Sequence, residues 1–129
     1  MNSILVVEDN ADIRDVLTQM LELWLDTHHP QCTVAQTSNG AEALAWIIDH
    51  GEPDLLLLDV RMPVMNGAQL LHHLSNNMGL TLHKKTLLLT GYADDLEEHL
   101  GNDALLMPHL RKPFLADELF KALESFTAA

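Results

Sequence analysis

The chain has 129 residues, a length typical of one domain and too short for two substantial ones. Hydrophobic residues make up 47% and aromatic residues 5%, a globular composition in which aliphatic side chains must build the core. Nineteen acidic and seven basic residues give a formal charge of −12, which would repel the phosphate backbone of a nucleic acid. We therefore expect a single domain that does not bind DNA or RNA and that favours cations and basic protein surfaces.

The start of the chain has the features of neither a signal peptide nor a membrane anchor. Its first apolar run ends at Val7, is followed by Glu8 and Asp9, and lacks a basic start. No apolar run in the sequence approaches the roughly 18 residues that a membrane helix needs. Cys32 is the lone cysteine and cannot form an internal disulfide, which fits a reducing compartment. These observations predict a cytoplasmic protein without membrane contact.

Short apolar runs alternate with helical patterns along the chain, which is typical of βα units around a parallel sheet. The first half contains a predicted strand at Ile4–Val7, a helix at about Ala11–Asp26, a strand at Thr33–Thr37 and a short helix that ends near Gly51. In the first helix, spacings of three and four place a set of apolar residues on one face: Ile13, Val16, Leu17, Met20, Leu21 and Trp24.

The second half continues the alternation. Leu55–Leu58 is an uninterrupted apolar run, as expected for a central parallel strand covered on both faces, and it stops at Asp59. The further predicted elements are a helix through Leu70–Leu74, a strand at Leu87–Leu89, a brief helix around Asp94–Leu100 and a strand at Ala104–Met107. The last helix has an apolar stripe formed by Leu115, Leu119, Ala122, Leu123 and Phe126. The fold class is therefore predicted as α/β.

Polar residues collect where the predicted strands end, at the edge where open parallel sheets bind ligands. They are Glu8, Asp9, Asp59, Thr90 and Lys112. Each acid taken alone could be a helix cap or a solvated loop residue. Three carboxylates that converge would repel one another and raise a pKa unless a cation lay among them. Because oxygen-only ligands suit a hard ion, the pattern predicts Mg²⁺.

Four short motifs in this order resemble the response-regulator receiver domains of two-component signalling, and they span essentially the whole chain: Val7-Glu8-Asp9-Asn10, Asp59-Val60-Arg61-Met62-Pro63-Val64-Met65-Asn66-Gly67, Thr90-Gly91-Tyr92 and Lys112-Pro113-Phe114. The resemblance implies a flavodoxin-like, doubly wound five-stranded parallel sheet of order 2-1-3-4-5, flanked by five helices. We expect residues 1–129 to form one receiver domain without an output domain.

The resemblance also implies an acceptor and its metal site. Asp59 matches the phosphoacceptor, a carboxylate nucleophile that forms an acyl phosphate. Asp9 and Asp59 match direct ligands of Mg²⁺, Glu8 matches a ligand through water, and the backbone carbonyl of Arg61 matches the remaining protein ligand. Lys112 matches the lysine that pairs with the acceptor and then with a phosphate oxygen.

Two further residues match the conformational switch of the family. Thr90 matches the hydroxyl that is drawn toward the new phosphate, and His109 matches the side chain that rotates inward behind it. Pro113 matches a proline that follows a cis peptide bond.

The leading hypothesis is a signalling module, not a conventional enzyme, with at most self-catalysed phosphorylation and dephosphorylation. A histidine kinase or a histidine phosphotransfer protein would donate the phosphoryl group, and the downstream partner should be basic because of Asp94, Asp95, Glu97 and Glu98. One alternative is a magnesium-dependent phosphohydrolase with an aspartate nucleophile, although Arg61 stands where those enzymes generally have a second aspartate. Another is a pseudo-receiver that binds partners without being phosphorylated.

Overall fold

Strands and helices alternate through the described residues, 1–59, 85–91 and 108–127 of the computed structural model. The described elements, numbered in chain order, are β1 (Ser3–Val7), α1 (Ala11–His28), β2 (Thr33–Thr37), α2 (Gly40–His50), β3 (Leu55–Asp59), β4 (Thr86–Thr90), β5 (His109–Arg111) and α3 (Ala116–Thr127). The helices predicted through Leu70–Leu74 and around Asp94–Leu100 lie outside the described residues.

The strands form one parallel sheet of order β2-β1-β3-β4-β5, which confirms the predicted topology. The chain passes from β1 outward to β2 and then returns across β1 to β3. The strand order therefore reverses between β1 and β3, where the crevice of a doubly wound sheet opens. The carboxyl ends of the strands meet at one edge because all of them run in the same direction.

The central strands are buried on both faces, as their uninterrupted apolar sequences predict. All five residues of β3 and all five of β4 are buried. Alternate strand residues pack against α1 and α3 on one side of the sheet. This cluster consists of Ile4, Val6, Leu55, Leu57, Leu87 and Leu89 from the strands, with Leu17, Leu21, Trp24, Leu25, Leu119 and Leu123 from the helices.

α1 begins after Asn10, whose side-chain oxygen accepts hydrogen bonds from the backbone N–H groups of Asp12 and Ile13. The helix continues to His28, two residues beyond its predicted end. The His28 ring stacks on the Trp24 indole with centroids 4.4 Å apart, and its Nδ1 lies 2.9 Å from the Trp24 carbonyl oxygen. The His29 N–H also donates to the Leu25 carbonyl oxygen at 2.7 Å, and these contacts support the two additional residues of the helix.

Two residues of the predicted apolar stripe of α1 are not part of the buried core. Ile13 and Val16 are 37% and 51% exposed. The buried face of the helix consists of Leu17, Thr18, Leu21, Trp24 and Leu25. The buried face thus includes a polar residue that the apolar pattern does not mark: the Thr18 hydroxyl donates to the Arg14 carbonyl oxygen and accepts from Gln36 Nε2.

The chain differs from the prediction at its end as well. The fifth strand is predicted at Ala104–Met107, which lies outside the described residues, whereas the strand that pairs with β4 is His109–Arg111. This edge strand contains one apolar residue, Leu110, so an apolar-run criterion cannot find it. Leu115 is 70% exposed and precedes α3 instead of joining its buried face. No helix among the described residues has both the length and the apolar character needed to cross a membrane.

Candidate functional site

The predicted acidic residues do meet at the carboxyl edge of the sheet. Glu8 directly follows β1, and Asp59 is the last residue of β3, the strand beside it. An oxygen of Glu8, one of Asp9 and one of Asp59 all lie within 4.8 Å of one another. Glu8 and Asp59 are 1% and 5% exposed, whereas Asp9 is exposed. The site therefore has a buried floor of two carboxylates and a third carboxylate toward solvent.

The donor atoms of this group fit a magnesium ion. Carboxylate oxygens are the ligands that hard divalent cations prefer, and Mg²⁺ usually binds few carboxylates while keeping several water molecules. The exposure of Asp9 leaves one side of the group accessible to water. Negative charges this close together also repel, which favours a bound cation.

Lys112 supplies a positive charge inside the same group. Its Nζ lies 2.6 Å from Glu8 Oε2 and 3.1 Å from Asp59 Oδ2. Burial lowers the pKa of Lys112, but the hydrogen bond to Glu8 and the charges of Asp59 and Glu8 outweigh it, so that the pKa is raised above its ordinary value. The ammonium form is therefore secured at neutral pH, and it binds the carboxylate predicted to be the acceptor.

The backbone around Lys112 directs its side chain to the acids. Lys112 immediately follows β5, and its N–H donates to the Thr90 carbonyl oxygen at 2.7 Å, which ties it to the end of β4. The Lys112–Pro113 peptide bond is cis, as the resemblance implies. From its position after the edge strand, the Lys112 side chain reaches the carboxylates of Glu8 and Asp59.

The polar atoms of Glu8 are fixed from four directions. Its N–H donates to the Thr37 carbonyl oxygen at 3.1 Å, its Oε1 accepts from the Asn10 N–H at 3.3 Å, and its Oε2 accepts from Lys112. Its backbone carbonyl oxygen accepts from Arg14 Nη1 at 2.9 Å. Sequence reasoning missed Arg14. A usable signal was its place near the start of a helix, where the helix dipole disfavours a cation that lacks a specific partner.

The remaining predicted site residues differ in burial, and one of them lies outside the described residues. Thr90 is 2% exposed at the end of β4, at the same edge as Asp59. His109 is exposed and begins β5, where it pairs in register with Leu88 of β4. Arg61 lies outside the described residues.

Comparison with known families agrees with this geometry. Residues 4–124 match the family model of the response regulator receiver domain. The chain belongs to this family. Receiver domains are signalling domains of two-component systems and are not conventional enzymes, so the phosphohydrolase alternative loses its support.

Curated relatives carry the same receiver domain within longer proteins. The transcriptional regulatory protein CpxR of Klebsiella pneumoniae is 33% identical over 119 residues, covering 92% of this chain and 46% of that protein. A response regulatory protein of Staphylococcus epidermidis is 33% identical over 131 residues, covering 95% of this chain and 48% of that protein. The chain thus spans about half the length of the curated relatives it matches.

Solved receiver structures share the fold. The chemotaxis response regulator CheY4 of Vibrio cholerae is 26% identical, with a TM-score of 0.75 and coverage of 98% of both chains. This similarity agrees with the five-stranded parallel sheet and its strand order.

Proposed function

We propose that this receiver domain accepts a phosphoryl group on Asp59 in the presence of Mg²⁺ and changes conformation to signal to a partner. The observation that supports this most is the 3.1 Å contact between Lys112 Nζ and Asp59 Oδ2, next to carboxylates whose oxygens lie within 4.8 Å of one another. A carboxylate nucleophile, an ammonium group and a set of hard oxygen ligands are the components that phosphoryl transfer requires.

Asp9 and Asp59 would hold the metal ion directly and Glu8 would hold it through water, with the Arg61 carbonyl, outside the described residues, as the remaining protein ligand. When bound, Mg²⁺ would neutralise charge on the phosphoryl oxygens. Lys112 offsets only part of the negative charge, because one ammonium group faces the carboxylates of Glu8 and Asp59 and the carboxylate of Asp9 adds a third charge.

The transfer itself would occur at the Asp59 carboxylate. One of its oxygens attacks phosphorus, a P–O bond forms as the P–N bond of a phosphohistidine breaks, and the electron pair leaves on the imidazole nitrogen. Lys112 would stabilise the charge that spreads over the equatorial phosphoryl oxygens. The buried Thr90 hydroxyl would then bind the new phosphate, and His109 would turn inward behind it.

A histidine kinase or a histidine phosphotransfer protein would be the phosphodonor, and a basic protein surface would be the target of the phosphorylated state. Both proposals fit the family of the curated relatives and the formal charge of −12. A cytoplasmic location fits the same role.

The first testable prediction is that the protein gains one phosphoryl group when it is incubated with a small phosphodonor and Mg²⁺. Intact-protein mass spectrometry measures the gain. Asp59→Asn, which keeps the shape of the side chain, should gain none, and chelation of Mg²⁺ should suppress the gain in the parent protein. Asp54→Asn is the matched control, because Asp54 lies before β3 at the opposite edge and should not affect the reaction.

Either of two results would count against the proposal: a parent protein without an adduct, or an adduct of equal yield on Asp59→Asn. Steady release of inorganic phosphate from a phosphate ester would instead support the hydrolase alternative.

A further inference from the structure

Arg14 reaches from the start of α1 back to the turn that follows β1. Its backbone N–H donates to the Asn10 carbonyl oxygen at 2.9 Å, and its Nη1 donates to the Glu8 carbonyl oxygen, also at 2.9 Å. The residue therefore binds both ends of the short segment Glu8–Asn10. Asp9 lies at the centre of that segment.

The carbonyl group that Arg14 binds belongs to the peptide unit joining Glu8 to Asp9. A peptide unit is planar, so a hydrogen bond that holds its oxygen also sets the orientation of the N–H and Cα of the next residue. Arg14 thereby constrains the direction in which Asp9 leaves the end of β1.

The carboxylate of Asp9 depends on this constraint more than the carboxylate of Glu8 does. The Glu8 side chain has its own partners in Lys112 and the Asn10 N–H. Asp9 is exposed, and the described part of the chain provides no hydrogen bond to its side chain. The backbone is therefore the means by which Asp9 is kept within 4.8 Å of the other two acids.

The helix dipole makes the location of Arg14 informative. A cation near a helix N-terminus is disfavoured unless another interaction offsets the cost. The planar guanidinium supplies that interaction, since it is weakly hydrated and binds oxygen acceptors with a fixed geometry. The cationic side chain is also close to the acids that would bind the metal, so its charge alone would oppose metal binding.

We propose that Arg14 is a positioning residue of the acidic site, which holds the Glu8–Asp9 peptide unit in the orientation that lets Asp9 bind Mg²⁺. This inference rests on the proposed function, because it takes Mg²⁺ as the ion. It goes beyond that function by assigning part of the metal affinity to a residue that does not touch the metal.

The charge effect and the positioning effect act in opposite directions, which makes the proposal testable. Arg14→Met removes the charge and the donor, and it should weaken Mg²⁺ binding about tenfold, as loss of an outer-shell partner of a metal ligand does. Arg14→Lys keeps the charge and one donor and should recover part of the affinity. Isothermal titration of the metal-free protein with MgCl₂ measures both.

Two controls separate the explanations. Arg111→Met removes an exposed positive charge next to Lys112 without touching the β1–α1 turn, and it should leave Mg²⁺ affinity equal to or slightly above that of the parent. Urea unfolding in the presence of a chelator measures the stability of each variant without metal. A purely structural role would lower stability in Arg14→Met and leave Mg²⁺ affinity unchanged.

The inference is overturned if Arg14→Met binds Mg²⁺ as tightly as the parent, or more tightly. If Arg14→Met does not fold, the Mg²⁺ affinity of Arg14→Lys tests the proposal by itself. The proposal requires Arg14→Lys to bind Mg²⁺ more weakly than the parent does, and equal affinity would overturn it. A parent protein that binds no Mg²⁺ would overturn the proposed function and this inference together, whereas equal binding by parent and variant would overturn this inference alone.

Discussion

Lys112 is the residue on which the charge balance of the pocket depends. Its ammonium group contacts two carboxylates that are almost fully removed from solvent. Buried charges are costly unless they are paired, so the metal-free pocket relies on this contact. The same contact means that Lys112 and a metal ion compete for the oxygens of Asp59.

Lys112→Met should therefore change metal binding and phosphorylation in opposite directions. Mg²⁺ should bind about tenfold more tightly, because a competing positive charge is removed. Phosphorylation by a small phosphodonor should slow by about 10²-fold, because a group that stabilises the transition state is lost. Calorimetry and intact-mass kinetics measure the two effects, with the exposed Lys121→Met of α3 as the matched control. Unchanged Mg²⁺ affinity, or a rate equal to that of the parent, would contradict the assigned role.

The meeting of Glu8, Asp59 and Lys112 was predictable from the sequence. Parallel strands bring their carboxyl ends to one edge whatever the detailed packing, so polar residues that end such strands must converge. Arg14 was not predictable in this way, because its place near a helix start indicates that it needs a partner but does not identify the Glu8 carbonyl oxygen as that partner. The roles of Thr90, His109 and Arg61 stay predictions.

At the scale of elements, Asp54 connects the start of β3 to the start of β1, at the edge of the sheet opposite the acidic site. Its Oδ2 accepts from the N–H groups of Asn2 and Ser3 at 2.6 and 3.2 Å, and its own N–H donates to the Ser3 carbonyl oxygen. The hydrogen bond from the Asn2 backbone is the main reason that the pKa of Asp54 is lowered from its ordinary value of 3.8. The carboxylate form thus stabilises the start of β1.

Asp54→Asn should lower the free energy of unfolding at pH 7 by about 1 kcal/mol, because the Asn oxygen can still accept from the N–H groups of Asn2 and Ser3 but lacks the charge that strengthens these hydrogen bonds. A lowered pKa in the folded state contributes stability above the ordinary value of 3.8, and that contribution is lost as the pH falls through the folded value. The difference in the free energy of unfolding between parent and variant should therefore shrink as the pH falls through the pKa of Asp54 in the folded state. Urea unfolding of both proteins at neutral and acidic pH measures it, and a difference that does not change with pH would contradict the account.

The strands were more predictable than the rotation of the helices. β1 and β3 are apolar runs because both faces are covered, and no choice of face is needed to recognise them. The orientation of α1 depends on which side of a wide apolar arc packs on the sheet. Thr18 lies on the buried side with its hydroxyl bonded to the Arg14 carbonyl oxygen, whereas Val16 is exposed. Such a local hydrogen bond does not alter the apolar periodicity.

At the scale of the whole molecule, the formal charge of −12 should cause repulsion between acidic groups of the same folded chain. This repulsion lowers the stability of the folded state when the salt concentration is low. Exposed acids along α1, including Asp12, Asp15 and Glu22, add to the charge of the pocket. Screening by salt weakens repulsion between exposed charges, because the Debye length falls as ionic strength rises.

Raising NaCl from about 10 to 150 mM should therefore increase the free energy of unfolding by roughly 1 kcal/mol, since the Debye length falls from about 30 to 8 Å. Urea unfolding in the presence of a chelator measures the change. Tetramethylammonium chloride, whose cation is too large for a carboxylate site, should give a similar increase. A change that occurs only with the small cation would indicate specific ion binding and contradict the screening explanation.

The position of the phosphoryl group tests the central claim most directly. Borohydride reduces an aspartyl acyl phosphate to homoserine, and tandem mass spectrometry of the digested protein then locates that residue. The account predicts homoserine at position 59 after treatment with a small phosphodonor and Mg²⁺, and none after treatment in the presence of a chelator. Homoserine at another position, or none at position 59 when the protein has bound Mg²⁺ and carries a phosphoryl group, would contradict it.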